Sequence, residues 1–141
     1  MTVGDLGPEE VVTVDRDATV DDVVEKLGSE NVGSVVVTED DEPVGIVTDR
    51  DVALSVSASD DPASASVEDV MTEEPVTLQE DEPNVMIARA IEEHNVRRIP
   101  VVDDDGKVTG IVTLDDLVAT VGEQLEQVGD TIETQSPDYE P

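Results

Sequence analysis

Apolar and polar positions alternate along this chain with two periods, and their order repeats. Val20, Val23, Val24 and Leu27 fall at i, i+3, i+4, i+7 with acids and a lysine between them, which predicts an amphipathic helix over residues 19–27. Ile87 and Ile91 mark a second helix over 83–93. Thr19 reads as the N-cap of the first, and Pro83 suits the opening turn of the second, where its missing N–H costs nothing. Each helix precedes two β-branched runs, 34–38 with 44–47 and 99–102 with 108–112, joined by acidic turns. Asp105-Gly106 is a strong hairpin signal. Short strands at 11–14 and 76–78 come before the helices, and further helices, 49–56 and 114–128, close each unit.

The pattern is therefore β-α-β-β-α twice, and the residues agree with it. Gly45-Ile46-Val47-Thr48-Asp49-Arg50-Asp51 returns as Gly110-Ile111-Val112-Thr113-Leu114-Asp115-Asp116. Upstream, Asn31-Val32 matches Asn95-Val96, and Val35-Val36-Val37 matches Ile99-Pro100-Val101. The expected organisation is a first repeat over 1–58, a small and polar linker over 59–66, a second repeat with an extended C-terminal helix over 67–128, and an acidic disordered tail over 129–141. The fold class is α/β of mixed α+β type, with the two repeats packed about a pseudo-two-fold axis. A repeat of about 60 residues is marginal alone, which favours packing of one on the other and further burial by dimerisation.

Composition narrows the function. Against 37 Asp and Glu stand 7 Lys and Arg, a formal net charge of -30. Such a chain offers no basic surface for nucleic acid and no cationic face for anionic lipid. No run approaches the roughly 20 apolar residues of a membrane span, and the N-terminus has no signal-peptide pattern, so a cytoplasmic location is expected. The acids are spread over turns and helix surfaces, a distribution suited to a salt-rich, halophile-like interior rather than to an acidic docking face. Phe, Trp and Cys are absent, so the core must come from Val, Ile, Leu, Met and Ala, and thiol chemistry is excluded.

Thr48-x-x-Asp51 and Thr113-x-x-Asp116 read first as capping boxes. A helix N-terminus also presents N–H groups suited to a phosphate, the Thr hydroxyl adds a donor, and the Asp can accept from ribose hydroxyls. Capping and binding are compatible. Arg97 and Arg98 read either as surface ion-pair partners, worth about 0–1 kcal/mol each, or as phosphate contacts; in so acidic a chain an anionic ligand needs local cations, which favours the second reading. His94 belongs to no triad or metal set. Asp103-Asp104-Asp105-Gly106 lacks the spacing and closing Glu of a calcium loop. No nucleophile–base pair appears, and an enzyme is not expected.

Asp69-Val70-Met71-Thr72, Arg98-Ile99-Pro100-Val101-Val102-Asp103 and the doubled Gly-x-x-Thr-x-x-Asp, in that order and over roughly residues 3–122, resemble tandem cystathionine-β-synthase (CBS) domains, the Bateman module. The resemblance implies clefts between the two domains for AMP, ADP, ATP or S-adenosylmethionine as a regulatory ligand, with no cofactor or metal required. It makes Asp51 and Asp116 the ribose acceptors and Thr48 and Thr113 phosphate-side donors. Thr13, Thr77, Val35 and Ile99 would line the adenine slots, and Arg97 and Arg98 would reach phosphates. The first repeat departs from the pattern with Gly33 and Ser34 where the second has those arginines, but carries Arg50 where the second has Leu114, so unequal clefts are expected. The resemblance further implies a homodimer that signals ligand occupancy to an unidentified protein partner. The alternative is a dimeric scaffold of the same fold with degenerate clefts.

Overall fold

The first helical pattern becomes α1 (Val20–Ser29), with Val20 and Val23 buried. Its start is fixed as the sequence predicts. The Thr19 hydroxyl accepts from the Asp22 N–H at 3.3 Å, and the Asp22 carboxylate accepts from the Thr19 N–H at 2.9 Å. The computed structural model describes residues 1–6 and 11–135. In the first repeat β1 (Thr13–Asp15) runs parallel to β2 (Ser34–Glu39), which turns back antiparallel into β3 (Glu42–Thr48) and then α2 (Asp49–Ser55). The opening segment of the second repeat supplies a fourth strand to this sheet, β4 (Thr72–Glu73), which pairs antiparallel with β3 through Gly45↔Glu73 and Ile46↔Thr72. The second repeat has β5 (Leu78–Gln79), α3 (Val85–His94), β6 (Arg98–Val102), β7 (Val108–Thr113) and α4 (Leu114–Gln135). The sheet orders are β1-β2-β3-β4 and β5-β6-β7.

β-branched residues with period two build two small cores. Val14, Val23, Val35, Val37 and Val47 close the first; Leu78, Ile87, Ile99, Val101 and Val112 close the second. Each is completed by the opening segment of the other repeat. Val3, fully buried, belongs to the second core, and its N–H donates to the Glu82 carbonyl at 2.9 Å. Val67, also fully buried, belongs to the first core, and its N–H donates to the Ala18 carbonyl at 3.0 Å. The boundaries of sequence repetition are thus not the boundaries of packing. Because each half is too small to bury enough surface alone, the exchange makes the folding of the two interdependent.

Several expectations need adjustment. Pro83 precedes α3, and Asn84 is the N-cap with no side-chain bond; the Pro83 carbonyl accepts from the Met86 N–H at 3.0 Å. Residues 76 and 77 lie before β5, which starts at Leu78. The segment over 59–66 is no loose spacer. It holds a 3-10 turn at Pro62–Ser64, its Ala65 carbonyl accepts from the Val20 N–H at 2.9 Å, and Ser66 bridges to Thr19. Residues 129–135, assigned from sequence to a disordered tail, continue α4; the rest of that tail, 136–141, lies outside the described residues.

Gly45, the first residue of the repeated heptapeptide, has a packing reason the sequence does not reveal. The Met71 side chain, arriving just before β4, lies where a Cβ would stand, with its Cγ 2.9 Å from that position. Gly45→Ala is therefore expected to destabilise the fold by about 1–3 kcal/mol, the usual cost of overpacking. The denaturant midpoint should fall accordingly, and Met71→Ala in the same chain should recover part of the loss.

Candidate functional site

Among the described residues, two clefts lie where the repeats meet. The larger, of about 640 Å³, is lined by Thr48, Asp49, Arg50 and Asp51 at the start of α2, by Ile46 and Thr72 from β3 and β4, and by Asn95, Val96, Arg97 and Arg98 leading into β6; Thr113, Leu114 and Asp115 close it. The smaller, of about 240 Å³, is lined by Val11, Val12, Val32, Gly33, Ser34 and Val36 from the first repeat with Arg98, Ile111, Thr113 and Asp116 from the second. Small-ligand sites usually span about 300–1,000 Å³, which places the larger cleft inside that range and the smaller just below it.

Both Thr-x-x-Asp segments form the capping boxes their spacing predicts. The Asp51 Oδ2 accepts from the Thr48 N–H at 2.9 Å, and the Thr48 hydroxyl oxygen accepts from the Asp51 N–H at 3.2 Å. In the second repeat the same bonds measure 3.0 and 3.1 Å. Each box uses one carboxylate oxygen and one hydroxyl lone pair. The other carboxylate oxygen keeps its capacity to accept, and the Thr O–H its capacity to donate. Both carboxylates are half-buried rather than free in water. Capping thus orients these groups without consuming them.

Cations gather here. Of the seven Lys and Arg in the chain, Arg50, Arg97 and Arg98 all line the larger cleft. Among the described residues the ion pairs are those of Arg16 with Glu39 and Glu68, at 3.0 and 2.7 Å, and of His94 with Glu93 at 3.9 Å; none involves the three cleft arginines. Asn95 holds φ 53°, a left-handed turn that asparagine tolerates, and from there the chain enters β6 with Val96, Arg97 and Arg98 along the cleft. Gly33 explains how Arg98 fits. A guanidinium nitrogen of Arg98 lies 3.1 Å from where a Cβ on Gly33 would sit, so any larger residue would press on the arginine.

The placement corrects the assignment by repeat. From sequence, Arg50 goes with the first site, and Arg97 and Arg98 with the second. The structure brings all three together beside Thr48 and Asp51, with Leu114, and only Arg98 also reaches the cleft of Thr113 and Asp116. Each cleft takes its walls from both repeats, so a residue's repeat does not say which cleft it serves. The adenine-slot assignment also shifts. Val35 and Ile99 are sealed inside the two cores at 0% and 1% exposure. Successive side chains on a strand point to opposite faces. With Val35 and Val37 in the core, Val36, also fully buried, lines the smaller cleft together with Ile111, and Ile46 lines the larger. Thr13 is half-buried in β1 beside the lining pair Val11 and Val12, and Thr77 is exposed. Three consecutive valines at 35–37 carried no signal that singled out Val36. Nothing local marked Asn95 or Thr72.

Among the described residues no cluster of three or more His, Asp or Glu is placed to hold a metal ion, and no helix is long and apolar enough to cross a membrane. The model of the CBS domain matches residues 3–58 and 67–123. The protein MK0525 of Methanopyrus kandleri is 34% identical over 136 residues, covering 90% of this chain and 69% of its own length. Among solved structures, the CBS domain protein PAE2072 of Pyrobaculum aerophilum in complex with AMP superposes with a TM-score of 0.75 at 25% identity, over 83% of this chain and 90% of that one. The CBS domain pair of MJ0100, in complex with 5'-methylthioadenosine and S-adenosyl-L-methionine, gives 0.76 at 27% identity, over 88% and 98%. Relatives with enzyme names also match, but the chain spans only 24% of the homoserine O-acetyltransferase of Methanosalsum zhilinae.

Proposed function

The chain belongs to the CBS-domain family as a tandem pair, and we propose that it is a regulatory module that binds an adenine nucleotide in the larger of its two clefts. The observation that carries this reading is the concentration of Arg50, Arg97 and Arg98, without ion pairs among the described residues, in one cleft of a chain whose net charge is -30. Three guanidinium groups beside a helix N-terminus make a site for phosphate oxygens. Asp51, held by its capping bond, offers its second oxygen to ribose hydroxyls, and the Thr48 O–H adds a donor on the phosphate side. Ile46 and Val96 give the base an apolar contact. The relatives' complexes with AMP and with S-adenosyl-L-methionine support the adenosine class. Between these, the three arginines favour the nucleotide, because a phosphate brings more negative charge to them than the single carboxylate of S-adenosylmethionine, whose sulfonium and ammonium groups they repel. Occupancy would be read by an unidentified protein partner, with the ligand favouring one arrangement of the two domains by its differential affinity. A homodimer in a salt-rich cytoplasm completes the reading, and catalysis by this segment is no part of it.

Calorimetric titration with AMP, ATP, adenosine and S-adenosylmethionine in high salt tests the proposal. AMP or ATP should bind, and Asp51→Asn should weaken binding by about 10–100-fold, the value of one or two hydrogen bonds to a charged acceptor. Asp116→Asn should cost clearly less than Asp51→Asn, since the Asp116 carboxylate lines only the smaller cleft and acts on the larger through Thr113 and Arg98, which line both. Binding of none of the four ligands would favour the scaffold alternative, and an unchanged affinity in Asp51→Asn would remove the site assignment.

A further inference from the structure

The outer part of α4 has no reason within this chain to be a helix. Every residue from Val121 to Gln135 is exposed. An isolated helix of about 15 residues is marginal in water even with good formers, and Gly122 and Gly129 each cost about 1 kcal/mol relative to alanine. Neither glycine is required by its own surroundings: a Cβ at either would meet nothing within 4 Å.

The exposed apolar residues of this segment are ordered. Val118, Val121, Leu125, Val128 and Ile132 are 62%, 45%, 68%, 57% and 42% exposed, and they follow one another at intervals of three and four. That is the a/d seam of a coiled coil, sustained through two heptads. The positions flanking the seam are Gly122, Gln124, Gly129 and Thr131, all uncharged. The acids Glu123, Glu126, Asp130 and Glu133 fall on the opposite side. In a chain with 31% charged residues, a helix that keeps both flanks of its seam neutral has one face on which an equally acidic molecule can approach. Glycines beside the seam let two backbones come close.

We propose that α4 pairs with α4 of a second copy of this chain through Val118, Val121, Leu125, Val128 and Ile132, forming a two-stranded coiled coil that joins two modules. The occupant is a second copy because the seam is self-complementary and because its neutral flanks remove the repulsion that two chains of charge -30 would otherwise meet. A basic partner helix would instead call for acids at the flanking positions, and there are none. This gives the homodimer of the proposed function a defined surface, yet it stands apart from nucleotide binding: the seam residues line neither cleft.

Sedimentation velocity of the full chain in high KCl is the test. Wild type should sediment as a dimer, with association strengthening as salt rises. Leu125→Ala with Val128→Ala should weaken dimerisation by about tenfold or more, as loss of two central apolar anchors does. Alanine is the better helix former, so any loss of helix in this variant, read by far-UV circular dichroism, follows from loss of the partner helix and not from local propensity. Glu123→Gln, on the far side, should leave the dimer intact. A monomeric wild type, or a double variant that dimerises as tightly as wild type, would overturn the proposal. Neither result bears on the affinity for AMP, which is measured separately on the same proteins.

Discussion

Raising KCl from about 0.1 M to about 2 M at neutral pH is expected to lift the thermal unfolding midpoint by about 15 °C, equivalent to about 4 kcal/mol for a chain of this size. The source is repulsion that the fold itself concentrates. The acidic turns of the two hairpins, one in each repeat, are brought together: the Val108 N–H donates to the Asp41 carbonyl at 2.9 Å, and Lys107 Nζ donates to the Asp40 carbonyl at 2.6 Å. A Cβ on Gly106 would lie 3.3 Å from a Glu42 carboxylate oxygen. Lys107 is the one cation in the turns where Asp40, Asp41, Glu42, Asp103, Asp104 and Asp105 gather. Within a Debye length of about 10 Å at 0.1 M these charges act on one another, and at 1 M, where the length is about 3 Å, they largely cease to. The lean core cannot absorb that repulsion, since the largest fully buried side chains are Ile, Val and Pro. Differential scanning calorimetry across a KCl series measures the effect, with a neutral osmolyte as the control that strengthens burial without screening. A midpoint that moves equally with both would assign the gain to burial rather than charge.

Elements set by local pattern were legible in the sequence. The Thr19 capping box, the acidic hairpin turns and the β-branched runs each act over a few residues, and α1, β2, β3, β6 and β7 lie where those patterns put them. What the sequence hid was set by contacts between distant segments. Val3 and Val67 look like ordinary apolar residues in short polar stretches, yet each fills the core of the opposite repeat. β4 exists only because Thr72 and Glu73 find the open edge of β3. The site divides the same way. Thr48, Asp51, Thr113 and Asp116 were legible as capping boxes, which form as their spacing predicts and stand at the clefts. The company they keep was not, because Arg97 and Arg98 of the second repeat line the same cleft as Thr48 and Asp51, and Arg98 lies where a side chain on Gly33 would press on it. Val36 rather than Val35 lines a cleft, and a β-branched triplet does not announce which member faces the core. The helical 129–135 segment shows the limit of composition as a guide: acids and a glycine read as tail, while Ile132 continues the three-four spacing of Val121, Leu125 and Val128.

Replacing Arg97 and Arg98 together by alanine should abolish discrimination between AMP and adenosine. In the wild type a phosphate held by two or more guanidinium groups is expected to give AMP an advantage of about 100-fold, since each charge-assisted hydrogen bond contributes about 1.5–3 kcal/mol and part of that is spent on desolvation. The double variant should bind AMP no more tightly than adenosine, because the field of a chain at -30 then opposes the phosphate with only Arg50 beside it. Affinity for adenosine should change little, as the contacts proposed for its ribose and base are those of Asp51, Ile46 and Val96 rather than of the arginines. Arg97→Lys with Arg98→Lys separates charge from geometry: point charges should restore part of the preference, and only the planar fork of arginine the whole of it. Screening provides a second reading of the same site, for the AMP advantage in wild type should shrink as KCl rises while the adenosine affinity holds. An equal loss of AMP and adenosine binding in the alanine variant would mean that the arginines shape the cleft and do not recognise phosphate.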